Sequence, residues 1–325
     1  MNLFVCYTHL QLVIASRIIA HRNLLPDDVE LFYISKIDND VTKNTLQDMR
    51  EICGEVTFIH MKLKYPLYFP AIFKHFFQRQ YDAVFIASID NILIHFILSR
   101  IHFNNLYTFD DGSANIILGS IYYQDISPTI ISSLYRQLLS VKFNMTLIKQ
   151  ISQMHYTIYD GYTNIIKQTT LIGFSSHVDE GPDAESVSGK NSACNVFVGA
   201  VYSSLFSSDE AINYYLNKCW SIIKHTDRDT FFLPHPREVK YSPPNDIEVI
   251  KAKYIAEREI SNLLHRYEYV YLYGFLSSCQ IHMASDERVI NNVFYSSELS
   301  STFKKAISGS MVSRGMNIVD IDKLL

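Results

Sequence analysis

The sequence is poor in the residues and patterns that mark several large classes of protein. Only 11 of its 325 residues are glycine and 9 are proline, which excludes collagen-like and low-complexity chains. Its cysteines are odd in number and never spaced as Cys-x-x-Cys, which argues against a disulfide framework or a zinc site and favours a reducing compartment. They are Cys6, Cys53, Cys194, Cys219 and Cys279. A net charge of −4 offers no case for nucleic-acid binding.

Long apolar segments and the common catalytic motifs are missing as well. No apolar run approaches the roughly 20 residues of a membrane-spanning helix, and the first six residues resemble a core strand instead of a signal peptide. We therefore expect a soluble or peripheral protein on the cytoplasmic side. The motifs GxGxxG, GxxxxGK[ST], HExxH and GxSxG are absent. The sequence therefore gives no support for a dinucleotide-binding fold, a P-loop kinase, a zinc protease or a serine hydrolase.

What is present is a well-buried chain with an alternating pattern. Hydrophobic residues make up 48% and charged residues 19%. Short apolar strands at 3–7, 31–35, 56–60, 83–87 and 106–109 alternate with helical patterns, and the rhythm restarts with strands at 195–199, 230–233 and 269–273. Such strands indicate parallel sheets covered on both faces. We predict an α/β protein with two Rossmann-like domains, 1–174 and 193–325, and a polar linker or mobile loop at 175–192.

Two strings place titratable side chains where a predicted strand ends. Asp110-Asp111-Gly112-Ser113 follows one strand, and His235-Pro236-Arg237 follows another. In open α/β sheets this carboxyl edge binds ligands. We therefore hypothesise that the aspartates supply a base and the histidine an acid, and that the two face each other across a cleft. Repulsion between the adjacent carboxylates would raise one pKa. The alternatives are an ordinary Asp-Gly turn and a histidine that caps a turn.

Three further positions carry weaker signals. Ser277-Ser278 follows a predicted strand and could bind an anion, although a serine N-cap is commoner. Glu257 could accept hydrogen bonds from a ribose or simply favour a helix start. Asp38-Asn39-Asp40 has the spacing of a metal clamp, but a turn and N-cap before the next helix is the favoured interpretation. No metal site is predicted.

Residues 61–80 combine basic and aromatic side chains without any acidic one. They include Lys62, Lys64, Lys74 and six aromatic residues, a composition that suits an interface with anionic lipid head groups. A core helix with solvated lysines explains the pattern about equally well. Peripheral contact with the inner membrane is therefore a hypothesis.

Taken together, the motifs resemble one family. The segment Phe4-Val5-Cys6-Tyr7-Thr8-His9-Leu10-Gln11, the Asp-Asp-Gly-Ser string, Pro234-His235-Pro236-Arg237, Gly274-Phe275-Leu276-Ser277-Ser278 and Gly315-Met316-Asn317-Ile318-Val319-Asp320 occur in that order. They are similar to the motifs of the bacterial lipooligosaccharide sialyltransferases, the family of the neisserial α-2,3-sialyltransferase. The resemblance runs from about residue 3 to about residue 322.

The resemblance implies a GT-B-like fold and an inverting, metal-independent transfer from CMP-sialic acid, with no cofactor. His235 would protonate or hydrogen-bond the leaving phosphate, Ser277 and Ser278 would hold it, and Glu257 would contact the ribose. The candidate substrate-binding residues are Thr8, Gln11, Asp110, Gly112, Ser113, Pro236, Arg237, Glu257, Ser277 and Ser278. The acceptor would be a terminal galactose or sialic acid of a lipooligosaccharide or capsule, and related enzymes can form homodimers.

One departure concerns the base. The neisserial enzyme carries its proposed base aspartate in a Gly-small-Pro-Asp turn after the first strand of the second half. Here that turn reads Gly199-Ala200-Val201-Tyr202 and has no carboxylate. A distantly similar sialyltransferase family uses the second aspartate of an Asp-Asp-Gly motif. We therefore predict Asp111 as the base, with Asp209 as the alternative.

Two other functions stay open. One is a related transferase that uses another nucleotide sugar. The other is a non-catalytic glycan-binding domain, which the acid and base candidates disfavour because a binding protein has no use for them.

Overall fold

The computed structural model describes residues 1–61, 69–117, 120–124, 130–172, 191–238, 240–308 and 315–323. The chain divides into two compact units, unit 1 at Met1–Gly173 and unit 2 at Phe174–Leu325. The predicted linker at 175–192 lies outside the described residues except for Asn191 and Ser192, which already belong to a strand.

The described part of unit 1 contains one sheet of seven parallel strands. They are β1 (Asn2–Cys6), β2 (Val29–Ser35), β3 (Glu55–His60), β4 (Gln80–Ile86), β5 (His102–Phe109), β6 (Met154–Thr157) and β7 (Thr169–Leu171). Their order is β3-β2-β1-β4-β5-β6-β7. The direction of winding changes between β1 and β4, and ligands of such sheets bind beside the carboxyl ends at this switch point.

Unit 2 repeats the same order in its described residues. Its strands are β8 (Asn191–Val198), β9 (Asp229–Leu233), β10 (Glu248–Val249), β11 (Tyr267–Gly274), β12 (Val289–Tyr295) and β13 (Met316–Asp320). They are parallel and run β10-β9-β8-β11-β12-β13, so the switch point lies between β8 and β11. Both units therefore have the Rossmann-like strand order that the sequence predicts.

The helices connect these strands and cover the sheets. In unit 1 they are α1 (His9–His21), α2 (Asp40–Ile52), α3 (Phe69–Phe76), α4 (Ile92–Leu98), α5 (Ile130–Leu138) and α6 (Met145–Ile151). In unit 2 they are α7 (Asp209–Lys224), α8 (Ala256–Arg266), α9 (Ser278–His282) and α10 (Ser301–Ser308). Within the described ranges, no helix is both long and apolar enough to cross a membrane.

Several helices begin at a side chain that caps the free backbone N–H groups. Asn39 accepts a hydrogen bond from the amide of Thr42 at the start of α2, so the predicted cap in Asp38-Asn39-Asp40 is confirmed. Thr8 caps α1 in the same way through the amide of Gln11. This cap fixes the residues that follow β1 at the carboxyl edge of the sheet.

A buried ion-pair cluster lies at the opposite, amino edge of the first sheet. Glu30 of β2 is 1% exposed and accepts hydrogen bonds of 2.8 Å from His75, Arg79 and Tyr81. Glu55 lies 3.6 Å from Arg79. Glu30, Glu55 and His75 are close enough to hold a cation, but the Arg79 guanidinium already supplies the positive charge. We assign the cluster to stabilising the fold.

The cluster makes the stability of the protein depend on pH. Burial alone would raise the pKa of Glu30, but the bonds from His75 and Tyr81 and the charge of Arg79 lower it below the ordinary glutamate value. Its stabilisation is therefore present above that ordinary value and is lost as the pH falls through the lowered one. Glu30→Gln should reduce the free energy of unfolding at pH 7 by about 2–3 kcal/mol, and the deficit should shrink at pH 4. Urea unfolding followed by circular dichroism at the two pH values measures this.

Glu55→Gln is the matched control, since its carboxylate is 47% exposed and should contribute little. An equal deficit for Glu30→Gln at both pH values would contradict the assignment.

Candidate active site

Asp110 directly follows β5, and its side chain points into the protein. It is fully buried. Its oxygens accept hydrogen bonds from His155 Nε2 at 2.9 Å, Thr157 Oγ1 at 2.8 Å, the amide of Ile158 at 2.7 Å and Asn164 Nδ2 at 3.2 Å. Because donors from its own unit occupy both oxygens, we assign Asp110 to joining β5 to β6. That Asp110 also contacts substrate stays a prediction from the sequence.

Asp111 belongs to a different set of contacts. Its Oδ1 accepts a hydrogen bond from Gln11 Nε2, and its Oδ2 accepts one of 2.6 Å from the hydroxyl of Tyr122. Gln11 also donates to Ser88 Oγ at 3.0 Å and accepts from the amide of Tyr7 at 2.6 Å. The structure thus brings the predicted residues Gln11 and Asp111 together where β1, β4 and β5 end, beside the switch point.

Gly112 and Ser113 shape the turn after Asp111. Gly112 has a φ of 134°, a backbone conformation that side chains rarely permit, and it leads into a 3-10 turn at Ser113–Asn115. Asn115 Oδ1 accepts a 2.8 Å hydrogen bond from the amide of Asp111. The Asp-Gly pair is therefore also the turn that the sequence suggests, and it fixes the position of Asp111.

The environment of Asp111 suits a base. Burial raises the pKa of its carboxyl group, the hydrogen bonds from Tyr122 and Gln11 oppose that rise, and the negative charge of Asp90 adds to it. The predicted increase in pKa is confirmed, but the predicted cause, repulsion by Asp110, is wrong. A base whose pKa lies closer to neutrality binds the transferred proton more firmly.

Asp90 and Tyr122 are residues that the sequence analysis missed. Asp90 is exposed and follows β4. The only available signal was that polar residues, Ser88, Asp90 and Asn91, come directly after an apolar strand. Tyr122 is 2% exposed and lies in a 3-10 turn. No sequence pattern indicated that it would contact Asp111.

In unit 2, the histidine after β9 approaches the turn after β8. A Cβ atom on Gly199 would lie 2.8 Å from the amide nitrogen of His235, so only glycine permits this contact. His235 Nδ1 accepts a hydrogen bond of 3.1 Å from the amide of Arg237. In the neutral ring the proton is then on Nε2, which can donate to a ligand. Partial burial and then the charge of Arg237 lower the pKa of His235, which favours the neutral ring.

Glu238 follows Arg237 directly. Its side chain hydrogen-bonds to the turn at residues 199–202, which contains no carboxylate. Its Oε2 accepts a hydrogen bond of 3.2 Å from the amide of Tyr202, and its Oε1 accepts one of 3.0 Å from the amide of Lys240. Pro236 and Arg237 are exposed beside it. The sequence analysis missed Glu238 because the contact with Tyr202 spans 36 residues.

Asp209 is exposed at the start of α7. It forms an ion pair with Lys240 and accepts a 2.5 Å hydrogen bond from the hydroxyl of Tyr241. The hydrogen bond from Lys240, followed by that from Tyr241, lowers its pKa. A carboxylate held in its charged form in this way is a weaker base, so the geometry favours Asp111 over Asp209.

The serine pair lies where β11 ends. Ser277 is the N-cap of α9 and exchanges hydrogen bonds of 3.1 and 3.2 Å with Gln280, so the predicted N-cap is confirmed. Ser278 is exposed. Glu257 of α8 is 7% exposed and accepts a 2.6 Å hydrogen bond from His282 Nδ1 of α9. A ribose contact by Glu257 would therefore use its other oxygen.

The charge of Arg237 gives a measurable prediction for His235. Arg237→Gln should raise the pKa of His235, because the substitution removes the positive charge that helps to lower it. Titration of the histidine Cε1–H signals by NMR detects the shift. Lys251→Gln, which removes another exposed cation of unit 2, is the control. A His235 titration that is the same in Arg237→Gln as in the wild type would refute this electrostatic coupling.

Comparisons with known proteins place this chain in a family. Residues 31–294 match the model of glycosyltransferase family 52. The chain is 30% identical, over 99% of both sequences, to the CMP-N-acetylneuraminate:β-galactoside α-2,3-sialyltransferase of Pasteurella multocida. It is 26% identical, over 89% of its own length and 90% of the relative, to the N-acetyllactosaminide α-2,3-sialyltransferase of Haemophilus influenzae.

Solved structures support the fold. The UDP-GlcNAc 2-epimerase of Methanocaldococcus jannaschii aligns with a TM-score of 0.52 at 11% identity, covering 99% of this chain and 89% of the other. An identity this low speaks to the fold alone, which is the predicted GT-B-like α/β architecture. Since the family model spans most of the sequence, the family resemblance is confirmed: the chain belongs to glycosyltransferase family 52.

Proposed function

We propose that the protein transfers sialic acid from CMP-sialic acid to a terminal galactose of a bacterial surface glycan, with inversion. The observation that carries the proposal is the neutral His235 ring, whose Nε2–H can donate a hydrogen bond at the carboxyl edge of the unit 2 sheet. Family membership and the names of the two relatives support the donor and the acceptor.

The leaving group of this reaction is the phosphate of CMP. Sialyl transfer passes through an oxocarbenium-like state, so stabilisation of the departing phosphate lowers the barrier. In the proposal His235 donates to a phosphate oxygen, the exposed Arg237 supplies positive charge, and the Ser277 and Ser278 hydroxyls bind the phosphate. Glu257 contacts the ribose, as the family resemblance implies.

The acceptor hydroxyl needs a base. We assign this role to Asp111, because its pKa is raised while that of Asp209 is lowered. Thr8 and Gln11 hold the turn beside it. With His235 and Arg237 stabilising the phosphate, the proposed reaction needs neither metal nor cofactor.

The assay for this function uses CMP-sialic acid with lactose and N-acetyllactosamine as acceptors. We expect sialylated products by mass spectrometry, α-2,3 linkage by methylation analysis as in the named relatives, and an unchanged rate in EDTA. Turnover with another nucleotide sugar alone would favour a related transferase. Binding of CMP or galactosides without turnover with any donor would favour a glycan-binding domain.

Variants test the assigned roles. His235→Ala and Asp111→Asn should each reduce kcat by a factor on the order of 10²–10⁴, the usual contribution of an acid or base. Asp209→Asn is the matched control and should stay near the wild-type rate. A normal kcat for Asp111→Asn together with an inactive Asp209→Asn would show that Asp209, and not Asp111, is the base.

We also propose that unit 1 contacts anionic membrane lipids through an apolar patch on α3, α5 and their flanks, defined by Phe73, Phe77, Leu134 and Leu138. These side chains are 40%, 54%, 62% and 80% exposed. The Arg100 guanidinium lies 5.6 Å from the centre of the Phe73 ring and also donates to the carbonyl of Leu139, so it connects the two parts of the patch.

The charge of the surrounding helices supports anionic lipid as the binding partner of this patch. Helices α3, α4, α5 and α6 contain Lys74, Arg136 and Lys149 but no Asp or Glu. Basic residues around exposed apolar side chains are the pattern of interfacial segments. Lys62 and Lys64, which the sequence analysis also assigned to this surface, lie outside the described residues.

Flotation with vesicles of anionic and of neutral phospholipid tests the contact. Phe77→Ser with Leu138→Ser, and separately Lys74→Glu, should weaken binding to anionic vesicles only. Leu25→Ser is the control, since Leu25 is a 66% exposed apolar residue outside the patch. Unchanged binding in both variants would disprove the contact. Homodimer formation and a cytoplasmic location stay predictions from the sequence.

A further inference from the structure

The inference concerns His282, a buried histidine of unit 2, and it rests on the proposed function for the contact between Glu257 and the ribose. His282 is the last residue of α9, and Glu257 lies in the first turn of α8. Their side chains are 3% and 9% exposed, and His282 Nδ1 donates a 2.6 Å hydrogen bond to Glu257 Oε1. Because α8 follows β10 of a parallel sheet, its first turn lies at the carboxyl edge, where ligands bind.

The start of α8 does not account for the position of Glu257. This first turn contains two glutamates, Glu257 and Glu259. Glu259 Oε1 accepts hydrogen bonds of 2.6 and 2.8 Å from the amides of Lys253 and Tyr254, so it fixes the segment that leads into the helix. Glu257 instead directs its carboxylate to α9. A buried carboxylate is costly without a donor, and His282 supplies one.

Helix α9 is held in place independently of this contact. Gln280 is fully buried, accepts a 3.1 Å hydrogen bond from the amide of Ser277 and donates one of 3.1 Å to the carbonyl of Asn292 in β12. His282 is therefore a donor at a fixed position, and it restricts the orientation of the Glu257 carboxylate. Since Oε1 accepts this bond, Oε2 is the oxygen that a ligand would meet.

We propose that His282 is a positioning residue for the nucleotide, which holds Glu257 so that Oε2 accepts a hydrogen bond from a ribose hydroxyl of CMP. No proton or other atom is transferred in this role. Ser277 and Ser278, assigned above to the phosphate, lie at the start of the same helix. Helix α9 would then connect recognition of the phosphate with recognition of the ribose, and the preference for a ribonucleotide would depend on His282.

Calorimetric titration with CMP and with 2′,3′-dideoxy-CMP tests this role. The wild type should bind CMP about tenfold more tightly, the usual effect of a hydrogen bond to a charged group. In His282→Leu the Kd for CMP should rise about tenfold while that for 2′,3′-dideoxy-CMP stays unchanged, because the latter has no ribose hydroxyl for Glu257. The KM for CMP-sialic acid should rise in the same way, with kcat and the KM for lactose unchanged.

Three further variants complete the experiment. His282→Asn keeps an N–H donor near the position of Nδ1 and should retain most of the preference for CMP. His265→Leu, a change of a partly buried histidine in the last turn of α8, is the matched control and should bind as the wild type does. If circular dichroism shows that His282→Leu does not fold, His282→Gln replaces it with the same expected results, because its amide donor lies farther from the backbone than Nδ1.

The outcomes separate this inference from the proposed function. An equal loss of affinity for both nucleotides would show a merely structural role for His282, and an unchanged preference for CMP would show no role. Either result overturns the inference, as does a wild type that binds neither nucleotide or both equally. If the preference is lost in His282→Leu but no donor gives a sialylated product, the proposed function fails and the positioning role of His282 is still supported.

Discussion

The candidate site in unit 1 depends on the burial of the Asp110 carboxylate. A fully buried carboxylate is costly unless donors satisfy it, and here side-chain and backbone donors from the β6 end and the segment after it do so. With Asp110 held inward, Asp111 is directed to Gln11 and Tyr122 instead. The two aspartates therefore have different roles: Asp110 fixes the strand end, and Asp111 is left for the proposed role of base.

In unit 2, a backbone contact positions the candidate residue. The absence of a side chain at Gly199 lets the His235 backbone approach the end of β8. Glu238 then ties the following turn to Tyr202. Orientation of the imidazole comes from the Arg237 amide, which occupies Nδ1 and leaves Nε2 as the donor. The motif His-Pro-Arg-Glu thus specifies position, tautomer and charge within four residues.

The sequence predicted most of the fold because its strands are short, apolar and regularly separated by helices. The strand order of both sheets follows from that alternation. Short or polar strands such as β7 and β10 carried too little pattern to be found. Local motifs predicted Asp111 and His235 as candidates, but Tyr122 and Glu238 make their contacts with other segments of the chain. Burial, and not the neighbouring Asp110, governs the Asp111 pKa, and burial cannot be assigned before the fold is known.

The two units differ in the electrostatics of their sheet edges, and this difference fits the two proposed substrates. Unit 1 presents the Asp111 carboxylate beside the Tyr122 hydroxyl, which favours uncharged hydroxyl groups and disfavours anions. Unit 2 presents an imidazole N–H beside the Arg237 cation, which favours a phosphate. A phosphate bound there would reverse the effect of Arg237 and raise the His235 pKa. The same histidine would then be neutral before the donor binds and would become protonated more readily while it is bound, so that it carries a proton for the leaving phosphate.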